Sequence, residues 1–511
     1  MMTQSQSNSK QILKNALFLY LRMFISLIVS LYTTRIVLDV LGVVDYGIYS
    51  VVGGIVIMFS FLNVSMSSAT SRFMAYEIGK NDQDKLNKVF SNAYAAHLII
   101  AVIVLLLLET VGLWMLRNKL VIDESRRFAA EVVYHLSVLS TLIGFTQVPF
   151  NASIIAHEKF NVYAYVELIN VFLKLVIVYF LTLGNADRLI LYAILTFMVS
   201  LTIMMTYRIY CRRKFIECLQ KPKIDKGVFK PMTVYAAWGV YGDGCYSLRQ
   251  QGTNVLLNNF FGAVVNSANG VATTVLGAVS GFAMNIISAF RPPIIKSYAA
   301  GNFERMTFLL TTAIKYSLLM SGLMTIAIAF EMEWILDMWL VEVPQYTAWI
   351  CRIILMTFCV TTCSFVIAAG IQASGNIRSQ SFIGGSISLF GAIPCTYLLL
   401  KLGYSPYSAY LCFLAFSFII FICNVLILKK QVKQIKVSHV ITKGIFPILL
   451  VLLITSGAIM FLQNMLSEGL LRVCTVTIAS VLICALLTYF IAMTADEKLS
   501  VKKYIERLFH R

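Results

Sequence analysis

Fourteen apolar runs, most of about 20 to 27 residues, leave this chain few choices of fold. They lie at about 12–38, 47–71, 90–116, 128–155, 162–183, 188–207, 232–258, 264–290, 306–330, 346–372, 380–400, 405–428, 441–463 and 470–493. Runs of that length suit helices that cross hydrocarbon, whereas barrel strands would be roughly half as long and would alternate. Only 13% of residues are charged and 59% are hydrophobic, far from the balance of a soluble domain. The expected class is an all-α polytopic membrane protein with about fourteen transmembrane helices.

The net charge of +18 raises the question of a nucleic-acid partner, and the placement of the charges answers it. Of 42 Lys and Arg, counting those at the ends of runs with the adjoining loops, 29 fall on the side of the N-terminus, seven on the opposite side and six within the runs. By the positive-inside rule both termini are cytoplasmic, and the basic charge reads as topology and as contact with membrane lipids, with no nucleic-acid partner. No short apolar core with a small-residue cleavage site follows the polar first eleven residues, so the first run is read as a retained helix. The eleven cysteines sit in apolar runs or on the cytoplasmic side and read as small core residues. The five histidines lack metal-ligand spacing, and no Walker A sequence or nucleophile elbow occurs. Neither an enzyme, a metal site nor ATP-driven work is expected.

Short loops exclude a sizeable soluble domain. Residues 1–207 form one six-helix lobe, 208–231 a basic linker and 232–428 a second six-helix lobe. Two additional helices occupy 429–493, and 494–511 is a basic amphipathic tail suited to an anionic lipid surface. An offset near 220 relates the turn at Gly42 to Phe261-Gly262, the inner loop Arg72 to Asn81, with Gly79-Lys80-Asn81, to Arg291 through Gly301-Asn302, and Ala152 to Lys159 to Ile371 to Arg378. Six helices between equivalent points preserve orientation, so the repeats are parallel, about an axis along the membrane normal.

Polar groups appear where lipid would reject them. Arg22, Ser26, Val29 and Thr33 share a face of the first helix, and the second ends in Asn63-Val64-Ser65 to Arg72. The seventh helix places Tyr246, Arg249, Gln250 and Thr253 on one face with Asn254 beside them. Arg22, Lys174 and Arg249 lie near mid-membrane, where a cation costs about 2.5 to 3.5 kcal/mol even on insertion scales. Arg35, Lys315 and Arg352 lie nearer the ends. A structural ion pair or snorkelling is the alternative for each, and Glu167 stands where it would partly neutralise Lys174. Arginine suits an anion that offers two oxygens, since its fork binds both at once. Asp39, Asp243 and Glu167 are the carboxylates within or next to the runs and the candidates to take up Na⁺ or H⁺, Asp243 within a Gly242-Asp243-Gly244 segment where a helix break would free carbonyls.

With these features the chain resembles the polysaccharide, or lipid-linked oligosaccharide, flippases of the MATE-like exporter (MOP) superfamily, including those for O-antigen. The resemblance spans nearly the whole chain and rests on the helix plan, the Thr34-Arg35 to Tyr49 hairpin and the Gly79-Lys80-Asn81 loop. It implies alternating access and transfer of an undecaprenyl-diphosphate-linked oligosaccharide to the outer leaflet of a bacterial inner membrane, for O-antigen, capsule or exopolysaccharide. Polysaccharide polymerase and glycosyltransferases would be partners. The substrate set would then be Arg22, Arg249, Lys174, Arg35, Arg352, Lys315, Asn254 and Asn63. An ion-coupled drug exporter of the same fold and a membrane-embedded polymerase are the competing classes; the first should show an excess of mid-membrane carboxylates, the second a long outer loop.

Overall fold

The computed structural model describes the chain almost continuously from Ser60 to Leu499, apart from residues 119–121, 182–186, 262, 341–342 and 496; before Ser60 it describes scattered residues from Leu17 onward. Arg22, Arg35 and Asp39 lie outside the described residues. In order, the helices are α1 Ser60–Lys80, α2 Gln83–Asn118, α3 Arg127–Ala156, α4 Phe160–Leu181, α5 Arg188–Lys214, α6 Lys226–Phe261, α7 Ala263–Ala299 and α8 Phe303–Ala329. They are followed by the short α9 Met332–Trp339, then α10 Thr347–Ser374, α11 Arg378–Lys401, α12 Tyr407–Gln431, α13 Val437–Met465 and α14 Leu470–Ala492.

The chain is an all-α, multi-pass membrane protein: among the described residues, eleven helices are long and apolar enough to cross a membrane. The first of the fourteen apolar runs lies largely on residues not described, and the second is described continuously only from Ser60, as the start of α1. The seventh is α6, which is long enough but falls outside the eleven because its polar side chains dilute the apolar ones. The break anticipated at Gly242-Asp243-Gly244 does not occur: α6 runs unbroken through it. Glycine costs a helix interior only about 1 kcal/mol, so two of them do not end a helix of 36 residues.

The chain divides into two compact units. Unit 1 comprises residues 1–244 with 298–300 and 375–378; unit 2 comprises 245–297, 301–374 and 379–511. In unit 1, α3 packs against α5, α1 and α2; in unit 2, α10 packs against α12 and α8, and α13 and α14 pack on α8. The helix starts follow local chemistry. Asn81 turns the chain with φ 55°, and the Asp82 carboxylate then caps α2 by accepting from the Lys85 N–H at 3.0 Å. Gly301 makes the same turn with φ 69°, and the Asn302 side chain caps α8 by accepting from the Arg305 N–H at 3.0 Å. Both caps supply one of the acceptors a helix start lacks. Their spacing matches the offset read in the sequence.

Inside α2, Leu108–Gly112 forms a wide turn in which the Leu108 carbonyl accepts from the Leu113 N–H and, as a second donor, from the Tyr134 hydroxyl at 2.5 Å. Gly112 is required there, since a Cβ would lie 2.2 Å from that hydroxyl. At the start of α5, Arg126 bridges Asp45 and Asp187, its Nη1 lying 2.6 Å from Asp187. Burial alone would raise the Asp187 carboxyl, but the Arg126 guanidinium and the Ile190 and Leu189 N–H groups hold it below the usual carboxylate range.

Candidate functional site

The site in unit 2 is built on α6 around Arg249. Its guanidinium lies 4.8 Å from the Phe413 ring centre on α12 and 5.8 Å from that of Tyr246 one turn earlier. Its Nε is buried without an acceptor. Among the described residues no carboxylate pairs with it, so the charge is supported by aromatic faces alone, worth about 0.5 to 2 kcal/mol each. That support is less than an ion pair would give and leaves the fork open to an anion.

Beyond Arg249 the polar face continues as a chain of hydrogen bonds. Tyr410 donates to Asn269 Oδ1 at 3.0 Å, and Asn269 Nδ2 donates to Asn254 Oδ1 at 2.6 Å, tying α12, α7 and α6 together. Asn254 itself reaches Gln251 at 3.4 Å. Gln250 and Gln251 are exposed, while the Thr273, Thr274 and Ser280 hydroxyls fold back onto the Gly270 and Gly277 carbonyls of α7. The result is a surface that can give and take hydrogen bonds without presenting a carboxylate.

Unit 1 holds the remaining described residues of the expected set. Asp243 accepts from the Ser65 hydroxyl at 2.6 Å, where Gly239 lets α6 approach α1: a Cβ there would sit 3.6 Å from the Ser65 Cβ. Asn63 Oδ1, two residues earlier on α1, is buried and unpartnered. The neutralisation expected between Glu167 and Lys174 is not formed. Glu167 instead accepts from Asn170 Nδ2 at 3.2 Å, three residues on along α4, and Lys174 is exposed with no ion pair among the described residues.

Two expected substrate cations have other partners. Arg352 is bonded to Glu333 on α9 and donates from Nε to the Ala329 carbonyl at 2.9 Å. Lys315 is buried on α8 and lies 2.8 Å from Glu497, in the segment after α14. In each case the structure answers the question of an unpaired cation with a structural ion pair.

Sequence reasoning passed over Arg72, counted as a loop residue. It is 6% exposed on α1, its guanidinium 4.7 Å from the Phe73 ring centre, 4.8 Å from Tyr76 and 5.9 Å from Tyr235. The aromatics at Phe73 and Tyr76, one and four residues on, are the signal that was there to read. Gly375 makes room for it: φ is 81° and a Cβ would lie 2.5 Å from Arg72 Nη2. Gly375→Ala is therefore expected to cost about 1 to 3 kcal/mol. Gly301→Ala, at φ 69° with nothing within 4 Å, carries the backbone cost without the clash and should lose less. Thermal unfolding of the two purified variants checks the order.

Comparison with solved structures decides the fold. A point mutant of a MATE protein superposes with a TM-score of 0.71 at 14% identity, covering 85% of this chain and 97% of that one. This chain has a MATE-like fold. An outward-facing multidrug resistance MATE family transporter of the MOP superfamily matches at TM-score 0.67 and 14% identity, over 85% of this chain and 97% of its own. A MOP superfamily transporter from Pyrococcus furiosus, whose reversed binding-pocket polarity suggests a different function for it, matches at 0.69 and 14%, over 85% and 96%. No family model matches the sequence, and no curated protein does.

Proposed function

We propose that this MATE-like chain is a transporter for a polyprenyl-diphosphate-linked glycan, moving it from the cytoplasmic to the outer leaflet of a bacterial inner membrane by alternating access. The observation that carries the reading is Arg249: a guanidinium deep in a helix, unopposed by any carboxylate among the described residues and flanked by an amide- and hydroxyl-rich face. A diphosphate matches the fork, and sugar hydroxyls match the Asn254, Asn269 and Gln250 face. Arg22, Arg35, Lys174 and Asn63 are proposed as further contacts, with Arg352 and Lys315 assigned to their structural pairs. The fourteen-helix plan with two parallel repeats, and termini on the cytoplasmic side, complete the proposal. It is supported by the recurring caps at Asp82 and Asn302 and by the distribution of Lys and Arg. A drug exporter is the competing reading, but an organic cation would be repelled by Arg249.

Coupling follows from the cargo. A diphosphate of about two negative charges leaving a negative interior gains roughly 4 to 5 kcal/mol per 100 mV. An inside-negative potential is expected to accelerate outward flipping of a labelled polyprenyl-diphosphate oligosaccharide by the purified chain in proteoliposomes. Flipping no faster than in protein-free vesicles, with extrusion of a cationic dye instead, would replace this reading by the drug exporter. Flipping indifferent to the potential but halted when a Na⁺ or H⁺ gradient collapses would move the drive to Asp243, Glu167 or Asp39.

A further inference from the structure

A cavity of about 540 Å³ lies in unit 2 where α8 ends, α9 follows, and α10, α13 and α14 present their ends on the side opposite the basic loops. Its charges do not balance. Glu331, Glu333, Asp337 and Glu468 line it against only Arg352 and Arg472. Arg352 is committed to Glu333. Arg472 is committed to Glu331, with Nη2 2.9 Å and Nε 3.0 Å from Oε2, and approaches Glu468 only to 3.6 Å. Asp337 is exposed and has no ion pair or hydrogen-bond partner among the described residues.

A second, independent observation comes from Glu331, which is 1% exposed: its Oε1 is buried and finds no donor among the described residues. A carboxylate oxygen removed from water without a donor costs more than a typical hydrogen bond returns, so this one calls for a donor in the cavity beside it. A third comes from the aromatics. Trp349 already carries the Arg352 guanidinium, 5.1 Å from its ring centre, whereas Trp334 holds no ring or cation among the described residues. An indole face is the strongest aromatic attractor of a cation. An anion would meet the surplus carboxylates, and a neutral polyol would leave that surplus uncompensated.

We propose that this cavity binds a primary ammonium group, seated on the free face of Trp334, held by the unpaired charge of Asp337 and donating to Glu331 Oε1. Two sources carry that chemistry: the headgroup of an amine-bearing phospholipid, or a small soluble amine. Lipid has access, because Met338 and Trp339 of α9 are 65% and 50% exposed beside the cavity.

The test uses the purified full chain in nanodiscs of phosphatidylglycerol alone, which contains no amine, titrated calorimetrically with ethanolamine, choline and, as a neutral control, glycerol. Ethanolamine should bind saturably, choline, which has no N–H for Glu331, about tenfold more weakly, and glycerol not at all, and Asp337→Asn and Trp334→Leu should each weaken ethanolamine binding by about tenfold. Asp337 is exposed, so its Asn variant tests the charge without disturbing packing. Loss of the response in phosphatidylethanolamine nanodiscs identifies the lipid headgroup as occupant, and an unchanged response there identifies a soluble amine. Absence of saturable amine binding in phosphatidylglycerol, equal binding of glycerol, or amine binding indifferent to both substitutions overturns the proposal.

Discussion

Arg249→Ala is expected to lower outward transfer of the lipid-linked glycan by on the order of 100-fold or more, since two charge-assisted hydrogen bonds of about 1.5 to 3 kcal/mol each are lost to the diphosphate. The same variant should unfold at an unchanged or slightly higher temperature. Arg249 has no carboxylate to strand among the described residues, and its Nε is buried without an acceptor, so removing it relieves a cost in the empty protein. A purely structural arginine would behave the other way, losing stability and activity together. Arg249→Lys should keep part of the activity, because the charge persists while the fork and the flat contact with Phe413 do not. Transfer at the wild-type rate by Arg249→Ala, measured in proteoliposomes with matched protein content, would remove this residue from the substrate path.

Arg249 could be found from sequence because a cation near the middle of an apolar run has nowhere to hide at that level of description. The helix class was legible for the same reason, as hydropathy alone marks most of the spans. What a linear reading lacks is the identity of partners distant along the chain. Arg352 and Lys315 looked like the same kind of intruder as Arg249, yet their acids stand 19 and 182 residues away. Glu497 carried no mark of its role, being one acid in a tail read as a lipid-facing surface. Glu333, beside Trp334 in a short connection, carried no mark in the sequence of its pairing with Arg352. Arg72 was missed for the opposite reason: α1 continues past it to Lys80, so a residue assigned to a loop is held in a helix among rings. The internal offset was legible in short motifs, and the recurrence of one cap at Asp82 and Asn302 gives it a physical basis, since both starts need an acceptor for the same amide.

Glu497→Gln is expected to be strongly destabilising to unit 2. The Lys315 side chain is 4% exposed and sits on α8 with the Glu497 carboxylate at 2.8 and 3.1 Å from its two oxygens. Removing that carboxylate leaves a buried ammonium without its counter-charge, a loss of about 3 to 5 kcal/mol by comparison with other broken buried pairs. Thr494, whose N–H donates to the same carboxylate at 2.8 Å, and Tyr316, whose hydroxyl donates at 3.3 Å, lose charge-assisted bonds as well. The double variant Lys315→Met with Glu497→Gln should recover most of the loss, because it removes the stranded charge along with its partner. Burial pushes the Glu497 carboxyl up, but the Lys315 ammonium and the Thr494 N–H outweigh it and hold the carboxyl below its ordinary value. A depressed carboxylate contributes stability that is fully present above its unfolded value, about 4.3, and is lost as the pH falls through the lower folded value. Wild-type unfolding temperature should therefore fall on acidification below about pH 4, and the part of that fall due to this pair should vanish in the double variant. Thermal unfolding of the four proteins of the cycle in detergent, at pH 7 and across the acid range, measures the coupling directly. Single losses that simply add in the double variant would show that the two charges do not depend on each other and would leave the burial of Lys315 to be explained by another partner.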